Sequence, residues 1–183
     1  MITENKFPIT ADTRAPIWTT QVDNYRVINL EILNSITHHR QENPKGIVDD
    51  INVNVWQTNW HMELYSGFDS IAELAKETTS KIARDFYRYN NFNPKIIDCW
   101  SNVYGKDSKC HVHHHFPATF SLVYYVVVPE GSGEIFFPEI SQSFFPSEGT
   151  LLCFRGDLKH GVNSGNISEN RIIVGINIIN EIL

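Results

Sequence analysis

Four of the chain's eight histidines fall within five residues, His111-Val112-His113-His114-His115, and two further residues able to work with them, His160 and Arg171, follow later. In an extended chain residues i and i+2 point to the same side, so His111, His113 and His115 are expected to share one face while His114 points away. One strand end can thus offer two imidazoles to one ion. A third imidazole from a distant strand completes one triangular face of an octahedron and leaves the opposite positions open, which is the arrangement of a catalytic metal rather than a structural one. Imidazole suits Fe(II), Zn, Ni and Cu alike, so ligand type alone leaves the metal open. Arg171, eleven residues after His160, narrows the chemistry. A guanidinium aimed into a mostly apolar interior requires a carboxylate to fork, because a buried unpaired charge is costly.

These residues need strands to carry them. Ile96 to Tyr104 and Thr119 to Val128 are β-branched and aromatic and flank the histidine cluster, which places it at a strand end or in the turn that follows. Gly133 to Phe137, Thr150 to Phe154 and Arg171 to Ile179 read as further strands, separated by turns such as Pro129-Glu130-Gly131-Ser132-Gly133 and Pro146-Ser147-Glu148-Gly149. The first half is different. Val27, Leu30, Leu33 and Ile36 recur at threes after a possible Asp23-Asn24 cap and predict a helix to about His39, with His38 and His39 solvated in its last turn. From Asp69 the set Ile71, Leu74, Ala75, Thr78, Ile82, Phe86 and Tyr89 predicts a second, packing helix. Tyr87, Tyr89 and Phe92 near its end read as core more readily than as a pocket wall. Residues 1–15 read as a polar leader, Pro16 to Val22 as an edge strand, and Asn52 to Thr58 as a loop or strand placing Trp56 or Trp60. The expected fold class is α+β, a β-sandwich or barrel with N-terminal helices on one side, formed as one domain over 1–183 (1–93 mainly helical, 94–183 the β core).

Composition sets the outer limits. A formal net charge of −6 over 183 residues and a pI near 5.7 argue against a nucleic-acid surface of the basic kind. Three cysteines, Cys99, Cys110 and Cys153, form no C-x-x-C pair and leave an odd number, which fits thiols in a reducing compartment. The N-terminal segment lacks the order of a signal peptide and no apolar run approaches the roughly 20 residues of a membrane span. A soluble, cytoplasmic protein is expected, with a homodimer reasonable for a fold with exposed sheet edges. GxSxG, GxxxxGK[ST] and GxGxxG patterns are all absent.

Taken in order, Asn102, His113-x-His115, Ser121-Leu-Val-Tyr124-Tyr125-Val, Pro146-x-x-Gly149, Phe154, Leu158-Lys-His160-x-Val162 with Asn163, and Arg171 followed by Gly175-Ile-Asn177-Ile resemble the 2-oxoglutarate/Fe(II)-dependent oxygenases. The resemblance is to a small bacterial and phage subgroup with H-x-H in place of H-x-D. Asn54-Val-Trp56-Gln-Thr58 looks like that subgroup's Gly-Trp-x-Ser segment, with Val55 where glycine is usual. The resemblance implies a double-stranded β-helix, or jelly roll, with Fe(II) at its open end. It implies His113, His115 and His160 as iron ligands and Arg171 as partner of the distal carboxylate of 2-oxoglutarate. It also implies Tyr124 or Tyr125, Asn102, Ser121 and Asn177 around the same cosubstrate. Adjacent strand residues face opposite ways, so only one of Tyr124 and Tyr125 can face inward. His111 is the alternative partner of His113. The activity implied is oxidation of an unidentified substrate by O2, with release of succinate and CO2.

A facial triad normally includes a carboxylate, and here a neutral imidazole holds that position. Either three histidines bind the metal or Glu130, Glu134 or Glu139 completes the shell. A cupin is the nearest rival, since Gly105 and His111-x-His113 match the start of its metal motif, but the glutamate expected next is absent, Pro117 and Ala118 standing there. A jelly-roll binding module without metal chemistry is the third reading.

Overall fold

The computed structural model describes residues 17–46, 53–106, 108–163 and 165–182, and residues 10 and 11 through their backbone. The leader, apart from those two, lies outside the described residues, as do Pro16 and Asn52. In chain order the elements are β1 (Thr10–Ala11), β2 (Ile17–Gln21), α1 (Tyr25–Glu42), β3 (Trp56–Gln57), α2 (Phe68–Tyr87), β4 (Pro94–Tyr104), β5 (Cys110–His113), β6 (Phe120–Val127), β7 (Ile135–Phe137), β8 (Gln142–Phe144), β9 (Thr150–Arg155), β10 (His160–Val162) and β11 (Arg171–Asn180). Two antiparallel sheets result: a seven-stranded one ordered β1-β2-β9-β6-β11-β4-β3 and a four-stranded one ordered β5-β10-β7-β8. β2 is not an edge strand, because β1 pairs along its outer side.

Both faces of the large sheet are covered, which is why its central strands are apolar almost without interruption rather than alternating. Leu122 and Tyr124 of β6, Cys153 of β9, Val174 and Ile176 of β11 and Cys99 of β4 pack toward the helices with Ile32, Phe68, Ile71 and Ile82. On the opposite face Tyr125, Leu152, Phe154, Ile173 and Tyr104 form a second core with Ile135, Phe137 and Val162 of the small sheet. Each fully buried Phe or Ile of these layers contributes about 1.5–3 kcal/mol relative to leaving it exposed. The three cysteines are buried thiols.

α2 starts as its period predicts and buries Ile71, Ala75, Thr78 and Ile82 of the predicted face together with Phe68, but Phe86 of that face is not buried and Tyr89 lies beyond the helix end. Phe86, Tyr87 and Tyr89 are close to half exposed, and Tyr87, Tyr89 and Phe92 line a shallow surface groove over Phe120. α1 departs from expectation. Its buried face is Asn29, Ile32, Ile36 and His39, while Val27 and Leu30 are exposed. A spacing of strict threes drifts around a 3.6-residue helix, so the first members of that series rotate off the packed face. Asn24 is left-handed (φ 54°) and makes no side-chain cap. His39, expected in solvent, sits under Tyr65 with ring centroids 4.6 Å apart; His38 is the solvated one, 3.5 Å from Glu42. No described helix is long and apolar enough to cross a membrane.

Candidate metal centre and anion pocket

Backbone pairing brings the first two imidazoles together. His113 ends β5 and His160 begins β10, and the two are register partners across that antiparallel pair. His115 lies beyond the end of β5, so strand alternation does not orient it. Its N–H donates to Gly156 O (2.7 Å) and its carbonyl accepts from Ala118 N (2.8 Å), which turns the segment back over the sandwich mouth. The ring centroids of His113 and His160 are 4.5 Å apart, those of His113 and His115 4.9 Å, and those of His115 and His160 5.1 Å. One nitrogen of each ring lies within 4.8 Å of the others. His111 and His114 are exposed; His111 contributes its carbonyl instead.

That carbonyl decides a tautomer. His113 Nδ1 is 2.8 Å from His111 O and His160 Nδ1 is 3.2 Å from Leu158 O. A carbonyl can only accept, so both rings carry the proton on Nδ1 and keep the Nε2 lone pair for an ion. Burial, with the neighbouring imidazoles second, lowers His115 to about 3 and holds His160 well below the ordinary histidine range. His115 and His160 are therefore neutral near pH 7, the state in which imidazole ligates. The donor set fits a divalent, imidazole-binding ion such as Fe(II). The glutamates considered from sequence are engaged elsewhere: Glu134 accepts from Asn163 Nδ2, Glu139 from the Lys159 amide at 3.1 Å, and Glu130 is exposed.

A cavity of about 160 Å³ opens from the histidines into the sandwich and has Arg171 in its wall. Arg171 is 3% exposed. Its Nη1 donates to Gly133 O at 2.7 Å and its guanidinium lies 5.5 Å and 5.3 Å from the ring centroids of Tyr104 and Tyr125. Arg171 Nε, the Tyr125 hydroxyl and Asn102 Oδ1 are buried without a hydrogen-bond partner. Among the described residues no carboxylate lines this cavity. Burial pushes the Tyr125 phenol up to about 12 and raises that of Tyr104 as well, although Arg171 pulls the other way on both. Both stay protonated and able to donate.

The two adjacent tyrosines are thereby told apart. Tyr125 faces the cavity, whereas Tyr124 faces the helices, its hydroxyl donating to Asn29 Oδ1 at 2.6 Å. Of the two tyrosines the resemblance offered for the cosubstrate, Tyr124 therefore does not reach the cavity, because adjacent residues of β6 face opposite sides of the sheet. Ser121 lines the cavity, and its Oγ donates to Asn177 Oδ1 (2.8 Å). Asn177 Nδ2 donates to Asp98 Oδ2 (2.9 Å) and lies 3.4 Å from His115 Nδ1. Asn177 is thus a neighbour of the histidines rather than part of the Arg171 end. Gln57, Trp60, Trp100 and Tyr104 also line the cavity. For Trp100 and Tyr104 the signal was in the sequence, since they alternate with Asn102 along one strand; for Gln57 and Trp60, in a short aromatic stretch, only pairing to β4 reveals the direction.

No protein-family model and no curated protein matches the sequence. Solved structures do. A viral collagen prolyl hydroxylase from Paramecium bursaria Chlorella virus-1, solved with 2-oxoglutarate, superposes with a TM-score of 0.64 at 18% identity over 87% of this chain and 94% of that one. A Pseudomonas putida prolyl-4-hydroxylase gives 0.68 at 12% identity over 91% and 94%. SnoK, a non-heme α-ketoglutarate-dependent carbocyclase of nogalamycin biosynthesis, gives 0.71 at 9% identity over 91% and 80%. The chain has the fold of the 2-oxoglutarate/Fe(II) oxygenases.

Proposed function

We propose that this protein is a 2-oxoglutarate- and Fe(II)-dependent oxygenase, with its two sheets forming a double-stranded β-helix as one domain over 1–183. One observation carries the reading. A buried guanidinium with an unmet N–H and an unmet phenol beside it share a single cavity with three converging imidazoles. A 2-oxo dicarboxylate suits both ends: its distal carboxylate would offset the Arg171 charge and accept from Nε and Tyr125, leaving its 2-oxo acid group for a metal held by the histidines. His113, His115 and His160 would hold Fe(II), which with 2-oxoglutarate and O2 would supply the oxidation of a substrate C–H bond with release of succinate and CO2.

The protein's own part is to position and exclude. His111 O and Leu158 O fix the proton on Nδ1 of two ligands, and Phe154, 4.6 Å from the His160 ring centroid, closes the apolar side of the site. Three neutral ligands leave the charge of Fe(II) uncompensated, and the dianionic cosubstrate offsets it, so cosubstrate binding should depend strongly on the metal. Action in the cytoplasm, without nucleic acid and as a possible homodimer, is part of the same reading.

Anaerobic titration of the protein with Fe(II) and then 2-oxoglutarate tests it. A visible charge-transfer band requiring both, and succinate formed on admitting O2, are expected. Metal binding indifferent to 2-oxoglutarate would favour a cupin-type enzyme, and absence of tight metal binding a non-catalytic module.

A further inference from the structure

The three histidines turn Nδ1 to groups of different polarity. His113 and His160 each face a carbonyl of their own segment, at His111 and Leu158. His115 faces a side chain instead, and the atom that meets its Nδ1, at 3.4 Å, is Asn177 Nδ2. An acceptor stands at two of the rings and a donor at the third.

The direction of that amide is set by its neighbours. Asp98, Asn177 and Ser121 are register partners on β4, β11 and β6, a polar row across strands in which Ile176 and Ile178, on either side of Asn177, are fully buried. Asn177 is 5% exposed and Ser121 2%, so the polar atoms of the row need partners. A hydroxyl donates or accepts, so Ser121 Oγ, 2.8 Å from Asn177 Oδ1, tolerates either end of the amide. The Asp98 carboxylate only accepts, and its Oδ2, 2.9 Å from Asn177 Nδ2, keeps the nitrogen on its side. The second N–H of Nδ2 is left for His115. A ring nitrogen that faces a donor has to accept, so in the metal-free protein His115 carries its proton on Nε2, the opposite of His113 and His160.

Ligation through Nε2, as in the other two rings, needs that proton on Nδ1, where the amide N–H stands. We infer that Asn177 is a positioning residue with two states: held by Asp98 it caps His115 Nδ1 in the metal-free protein, and on metal uptake its amide turns over so that Oδ1 accepts from His115 Nδ1–H. The inference rests on the metal centre of the oxygenase reading and not on its cosubstrate. Turning exchanges the two ends of the amide in place. Nδ2 then donates to Ser121 Oγ, and Asp98, which is only half-buried, gives up its bond and turns to water. Nothing larger has to move, because the His115 backbone is held by Gly156 O (2.7 Å) and Ala118 N (2.8 Å) and its ring packs on Trp100 and His160, centroids 5.6 and 5.1 Å away. His115 is thus the ligand whose recruitment breaks a hydrogen bond, whereas His113 and His160 stand ready.

Imidazole 15N spectra near pH 7.5, with zinc as a diamagnetic metal, read the proton positions. In the metal-free wild type His115 is expected to be protonated on Nε2, and His113 and His160 on Nδ1; zinc should move the His115 proton to Nδ1. Asp98→Asn, whose side chain donates as well as accepts, should leave His115 a mixture of the two tautomers. The exchange of Asp98→Asn with Asn177→Asp keeps the pair bonded but presents an acceptor to His115. Its proton should then sit on Nδ1 without zinc, and Co(II) should bind about tenfold more tightly than to the wild type. A role in packing alone would leave the tautomer unmoved. His115 protonated on Nδ1 in the metal-free wild type, or on Nε2 after the exchange or with zinc bound, overturns the inference, as does unchanged or weaker Co(II) binding by the exchanged pair. If the rings and zinc behave as expected while 2-oxoglutarate binds neither with zinc nor with Fe(II), the oxygenase reading falls and the two states of Asn177 remain.

Discussion

His160 and His113 face each other in register across the β10–β5 pair, so two of the three candidate ligands are set by sheet hydrogen bonding and not by a loop. A site built this way should survive loss of a ring. We expect His160→Ala to fold, with the small sheet intact, and to bind Co(II) at least about 100-fold more weakly than the wild type, since even outer-shell partners of metal ligands are worth 10–100-fold. The d–d absorption of Co(II) measures it, and unchanged affinity would remove His160 from the centre.

Arg171 gives two effects of opposite sign. A buried guanidinium with one backbone partner costs the ligand-free fold more than it returns, so Arg171→Met, similar in volume, should leave the melting temperature of the ligand-free protein unchanged or higher. The same change removes the anchor for the distal carboxylate and should weaken 2-oxoglutarate binding by about 30-fold or more. Calorimetric titration and thermal melts on one preparation separate the two. A variant that loses stability but binds 2-oxoglutarate normally would contradict the assignment.

Much of this was legible in the sequence, and the misses have physical causes. The strand runs from Ile96, Phe120, Thr150 and Arg171 were evident because a sheet covered on both faces needs uninterrupted apolar and aromatic residues. β8 and β10, three residues each, carry too few positions for any period to show. The choice between Tyr124 and Tyr125 was not available, because both are fully buried and the two faces of β6 differ in what covers them, not in polarity. Asp98, which is linked to His115 through Asn177, has no sequence mark because its partner lies on β11.

Gly175 is the position at which packing and site meet. Opposite Trp100 on β4, it leaves room for the indole, and a Cβ there would fall 2.4 Å from the Trp100 ring. Gly175→Ala should cost about 1–3 kcal/mol in stability through overpacking. It should also displace the Trp100 ring that packs on His115, so metal affinity should fall along with the melting temperature. Loss of stability with unaltered metal binding would mean that Trp100 does not help to place His115.

Acid should unfold the metal-free protein through these same rings. Burial and mutual repulsion lower His115 to about 3 and hold His160 well below its ordinary value, whereas in the unfolded chain both titrate near 6.5. Below about pH 6.5 the unfolded state therefore binds more protons than the folded one, and stability falls as pH falls, by up to about 1.4 kcal/mol per pH unit for each histidine, until the folded-state rings are protonated in turn. Above pH 7 both states are neutral at these positions and the term vanishes. Urea melts of metal-free protein between pH 7.5 and 4.5 measure the slope, and His160→Asn, which cannot titrate, should reduce it by about one proton. An equal slope in wild type and variant would show that His160 is protonated as readily when folded as when unfolded, against the burial seen here.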